Sequence, residues 1–195
     1  MFIMQTPAQI LSKRFARKAT DKAQKGVTMI ELSIVLVVAG LLAAAVFLAF
    51  QGNTRRVSVA DNTSLITETA AELKKKFGLT GTYASVTTAL AVQSRAIPEQ
   101  LRVPATNTAQ NGYGGLITTL PTTLVVANDA VALLWPSVKQ NECIDLVINT
   151  QNVARRITVG AVVVKPTDGA LNLATTATNC ELAPSVNVTF DIGRS

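Results

Sequence analysis

The chain has 195 residues and no histidine. That absence removes Ser–His and Cys–His catalysis and most zinc sites. There are only two cysteines, Cys143 and Cys180, too far apart to read as a CxxC redox or metal motif. Phosphate loops and dinucleotide fingerprints are missing as well. No pair of carboxylates is placed by sequence for acid–base work, so no catalytic residue, cofactor or metal ligand is expected. Proline is absent from residues 27–78, which leaves nothing to break a long helix there. Charge is absent from Leu32 to Phe50, a run of nineteen residues. At about 1.5 Å per residue such a helix spans about 28 Å, close to the ~30 Å of a bilayer core.

What is present begins with charge. The net charge is +6, but its placement matters more than its size. Lys13, Arg14, Arg17, Lys18, Lys22 and Lys25 stand against one acid, Asp21, before residue 27. Beyond residue 26 there remain 12 basic and 11 acidic side chains. The basic character therefore belongs to the N-terminal segment. It argues for membrane orientation rather than a nucleic-acid site. The positive cluster before the apolar run outweighs Arg55 and Arg56 after it, so the positive-inside rule keeps the N-terminus cytoplasmic.

One carboxylate, Glu31, stands at the start of the apolar run. In wholly apolar surroundings it costs several kcal/mol and needs a partner. Cleavage after Gly26 would make Val27 a new amino terminus, whose ammonium could pair with Glu31 of a neighbouring helix. Lys25-Gly26 followed by Val27-Thr28-Met29-Ile30-Glu31 and the apolar run resembles the prepilin signal of type IV pilins. The resemblance covers about 30 residues. It implies that a prepilin peptidase cuts after Gly26, that Val27 is then N-methylated, and that Glu31 guides assembly. Val27 in place of phenylalanine, the long leader and the proline-free helix resemble the type IVb subgroup. Two other readings stand beside it: a plain signal anchor with a chance glutamate, or a secretory signal cut after Ala43-Ala44-Ala45.

The implied organisation is a cleaved leader, 1–26, a long helix, 27–78, and an α+β head, 79–195. Within the helix, 32–50 forms the transmembrane segment and later the filament core. The fold expected is a pilin roll: a helix with an apolar first half and an amphipathic second half, packed on an antiparallel sheet. Val59, Ile66, Ala70, Leu73 and Phe77 recur at helical spacing and mark the packed face. Both cysteines lie in the exported part, where an oxidising compartment favours a pair. The resemblance to pilins implies the same Cys143–Cys180 disulfide; two unpaired core thiols are the alternative.

Along the head, Thr87 to Gln93 reads as weakly helical and Asn107 to Gly115 as turn-rich. Gly115 to Thr119, Leu124 to Ala127, Ala130 to Trp135, Ile157 to Lys165 and Val186 to Ile192 read as strands. Pro136-Ser137 reads as a helix start, with Ser137 and Gln140 as a capping box. Arg155-Arg156 and the tract Ala174 to Asn179 read as exposed loops, and Trp135 as a core aromatic.

The function implied by the resemblance is a major subunit of a type IV pilus. Its partners are other copies of itself, the prepilin peptidase, the inner-membrane assembly machinery and a host or recipient-cell receptor. The precursor is expected in a bacterial inner membrane with its head periplasmic, and the product in an extracellular filament for adhesion, conjugative contact or aggregation. The rivals are a minor pilin, a type II secretion pseudopilin, and a membrane-tethered binding domain that never polymerises.

Overall fold

In a computed structural model of the chain, residues 28–80 and 82–194 are described. Helix α1 runs Met29–Phe77. The chain divides into two compact units, the first ending at Ala45 and the second starting at Val46. In the second unit, Val59, Ile66, Ala70, Leu73 and Phe77 are all buried, so the amphipathic stripe read from the sequence is the face that packs. Lys74, Lys75 and Lys76 occupy the last turn, where the helix dipole favours cations.

Among the described residues, six antiparallel strands form one sheet: β1 (Ala109–Gln110), β2 (Leu116–Thr122), β3 (Ala130–Lys139), β4 (Arg156–Val159), β5 (Val162–Lys165) and β6 (Ser185–Gly193). Their order is β1-β2-β3-β6-β4-β5, so the C-terminal strand lies between two hairpins. The core follows from alternation. Val131, Leu133 and Trp135 of β3 pair with Ile192, Phe190 and Val188 of β6, and all six are fully buried. Cross-strand pairs of this size are the unit of sheet stability. Helix α2 (Thr88–Gln93) begins at Thr87, whose side chain accepts from the Leu90 N–H. Helices α3 (Gln140–Thr150) and α4 (Leu173–Cys180) complete the head.

Four sequence expectations are corrected. Leu124 to Ala127 is not a strand but the loop joining β2 to β3. The Asp129 carboxylate accepts the N–H groups of Leu124, Val125 and Val126 at 2.8, 3.0 and 3.1 Å, which takes the donors a ladder would need. Pro136-Ser137 does not open a helix; β3 continues to Lys139. The register shifts between Trp135 and Val138, and Ser137 has φ +60 there. A bulge is where a strand tolerates proline. The Ser137 N–H bonds Asn187 Oδ1, and no side chain caps α3.

Ile157 to Lys165 is a hairpin, not one strand. It turns at Gly160, whose φ of +61 suits a two-residue turn. The tract Ala174 to Asn179 lies in α4, not in a loop. Asn172 caps that helix by accepting from the Thr175 N–H at 3.0 Å. Thr176, Thr178 and Asn179 side chains donate to carbonyls four residues back, so their polar groups are satisfied within the helix. Pro121 sits inside β2 without harm. β1 covers β2 only at Leu116 and Ile117, so the proline faces an open edge.

Candidate processing and assembly site

Gly26, Val27 and the leader lie outside the described residues. The site is therefore built from Thr28 onward. Thr28 precedes the first helical residue, and its Oγ1 accepts from the Glu31 N–H at 3.3 Å. Its carbonyl accepts from the Leu32 N–H at 3.1 Å. Thr28 is thus an N-cap with a glutamate three residues on, the capping-box spacing. Glu31 is exposed in the first turn of α1, where the helix dipole favours a carboxylate. The Thr-x-x-Glu signal before an apolar run was present in the sequence but was not read as a cap.

From Met29 to Phe47 the helix has a mean hydropathy of 2.6 and none of it is buried. Ile34, Leu36, Leu41 and Phe47 are each about three-fifths exposed. An apolar surface of this extent marks a membrane or a partner.

The second half of α1 is tied into the head by polar contacts at its start. Arg55 Nη2 donates to Asp145 of α3 at 2.6 Å. Ser58 Oγ donates to Glu142 Oε2 at 2.7 Å. Glu142 is buried and has Lys139 Nζ at 3.9 Å. Burial, then the Glu142 carboxylate, raises the pKa of Tyr113 well above the ordinary phenol range. Asn62 Oδ1 accepts from Trp135 Nε1 at 3.1 Å. Arg55, just past the apolar run, bridges to α3, and the core placement of Trp135 is as read.

Cys143 of α3 and Cys180 of α4 are joined by a disulfide across 37 residues, with Cα atoms 5.7 Å apart. A loop of that length is worth about 4 kcal/mol in the chain-entropy model. Arg156 was read as part of a solvated loop. It lies in β4, and its Nε donates to the buried Asp191 of β6 at 2.5 Å. Burial raises the Asp191 carboxyl, and the Arg156 guanidinium only offsets part of that. Neither Asp191 nor Asn62 was singled out in the sequence, because each gains its meaning from a residue far along the chain.

A family model described as PilS N terminal matches residues 56–192. The chain belongs to that pilin family. A second model, the prokaryotic N-terminal methylation motif, matches residues 21–47 and so spans Gly26, Val27 and Glu31. The pilin's fold is similar to that of the type IVb pilin from Salmonella typhi, at 15% identity and a TM-score of 0.53, covering 67% of this chain and 97% of that one. TcpA, a type IV pilin from Vibrio cholerae El Tor, aligns at 18% identity and a TM-score of 0.47, covering 67% and 98%. No curated protein matches the pilin by sequence. The pilin thus carries an N-terminal methylation motif and folds as an apolar N-terminal helix with an antiparallel sheet, the fold it shares with the Salmonella typhi pilin.

Proposed function

We propose that the chain is the precursor of a type IV pilus subunit, held in the inner membrane until it is cut after Gly26. The observation that carries this reading is the methylation motif over residues 21–47, laid on a helix whose Met29–Phe47 surface is apolar and wholly unburied. Cleavage frees Val27, which is then methylated. Glu31 pairs with the amino terminus of a neighbouring subunit, neutralising a carboxylate that would otherwise be buried alone. The apolar helices leave lipid for a filament core of similar polarity, so extraction costs little hydrophobic energy. Packing and the Glu31 pair then set direction. The head lies outside the cytoplasm, and the filament serves adhesion, conjugative contact or aggregation. In this role the chain is structural rather than catalytic.

The test is N-terminal sequencing and intact mass of sheared filaments, together with Glu31→Ala. The wild-type subunit should begin at N-methylated Val27. Glu31→Ala should be cut at the same bond yet yield no filaments. Normal filaments from that variant would sink the mechanism. A chain still uncut where a prepilin peptidase is active would favour a tethered domain.

A further inference from the structure

The head carries a second feature, apart from the apolar helix. At the C-terminal end of α1, Lys74 and Arg194 line a cleft of about 230 Å³ together with Gly78, Leu79 and Tyr83. Tyr83 is completely buried, yet its hydroxyl has no hydrogen-bond partner among the described residues. A Cβ added at Gly78 would lie 3.1 Å from that hydroxyl, so the glycine leaves the hydroxyl uncrowded at the cleft wall. Among the described residues neither cation is paired with an acid. Lys75 and Lys76 pair with Glu72 at 3.6 and 3.2 Å.

A larger cleft of about 550 Å³ shares both cations and continues past Arg155, Asp168, Asp129, Val126 and Ala127. Its acids are already engaged. Asp168 is held by the Arg155 guanidinium in a two-pronged pair, and Asp129 by three backbone N–H groups. The Arg155–Asp168 pair cancels, and Asp129 keeps its charge under neutral N–H groups, so Lys74 and Arg194 together outweigh a single carboxylate and the balance facing the joined clefts is positive. Next to it stands a buried donor whose unmade hydrogen bond destabilises the free protein.

We propose that this cleft binds an oxyanion, a carboxylate or phosphate group. Lys74 and Arg194 supply the charge and Tyr83 a hydrogen bond. Arg194 offers the planar fork that grips two oxygens, and Lys74 a point charge. The adjoining cleft gives room for a hydroxyl-bearing body such as that of an acidic sugar.

The test uses the full-length chain in neutral detergent micelles at low salt, by calorimetric titration. The probes are sodium glucuronate, inorganic phosphate and, as uncharged control, glucose. Saturable binding of glucuronate or phosphate is expected, with none for glucose. Lys74→Gln and Arg194→Gln should each weaken it about tenfold. Tighter binding of glucuronate than of phosphate would assign the site to a sugar acid, and equal binding to the oxyanion alone. Tyr83→Phe separates binding from packing: it should raise the thermal midpoint of the free protein while weakening the anion. No saturable heat with either anion, or affinity unchanged in all three variants, would overturn the proposal. Glu31→Ala protein should bind as the wild type does, so this result stands or falls apart from assembly.

Discussion

Asn62 makes two hydrogen bonds with one side chain. Its Nδ2 donates to the Ser58 carbonyl at 2.8 Å, and its Oδ1 accepts from Trp135 at 3.1 Å. Trp135 is fully buried, so its indole N–H has no water to fall back on. Asn62→Ala leaves that donor unpaired, which costs about 1–3 kcal/mol. Denaturant unfolding should show a loss in that range; a change below about 0.5 kcal/mol would mean that the bond is dispensable. Trp135 was legible as a core aromatic from residue type alone. Its partner was not, because 73 positions separate the two and no local pattern marks an asparagine for such a role. Glu31 stands out in the sequence for the opposite reason. The expectation for it rests on its immediate neighbours: a glycine five residues before and an uncharged run after.

Among the elements, β3 departs most from its sequence pattern. Pro136 and Ser137 look like a helix start because that dipeptide opens helices elsewhere. In the sheet they form a bulge, and Ser137 adopts φ +60. A left-handed conformation costs a non-glycine residue about 1–2 kcal/mol. Ser137→Gly should therefore stabilise the protein by up to about 1 kcal/mol, and Ser137→Ala should be nearly neutral, both by thermal unfolding. Had Ser137 capped a helix, the alanine variant would lose about 1 kcal/mol. Asn172 is the residue that does cap, and Asn172→Ala should lose about that amount. α1, β6 and the amphipathic stripe were readable because their periodicity is sustained over many residues. The 157–165 segment was misread because a two-residue turn at Gly160 hardly interrupts a run of valines. α4 was missed because threonine and asparagine are weak helix formers, and only their bonds to carbonyls one turn back make the helix acceptable.

At the scale of the whole molecule, stability depends on pH through carboxylates with opposite shifts. The Arg155 hydrogen bond holds the Asp168 carboxyl below its usual value of 3.8. Desolvation acts to raise Asp129, but its three N–H bonds outweigh it and hold that carboxyl below 3.8 as well. Each contributes stability that is fully present above 3.8 and lost as the pH falls through the lower folded value. Asp191 is shifted the other way by burial. The unfolded chain ionises it first, so this contribution falls as the pH rises from 3.8 through the folded value. Unfolding midpoints in urea, taken from about pH 2 to about pH 7, should fall less steeply on the acid side in Asp168→Asn. In Arg156→Met the Asp191 carboxyl rises further, and its decline should extend to higher pH. An acid limb unchanged by Asp168→Asn would remove the Arg155 pair from the account.

The sequence by itself determined the apolar run of the long helix and the face by which its later part packs. These are local properties, set by composition, periodicity and spacing along a short stretch. Only the tertiary structure decided that β6 lies between β3 and β4, that Arg156 meets Asp191, and that Lys74, Tyr83 and Arg194 share one cleft. Those relations join positions far apart in the chain, and they exist only once hydrophobic burial has brought the strands and α1 together.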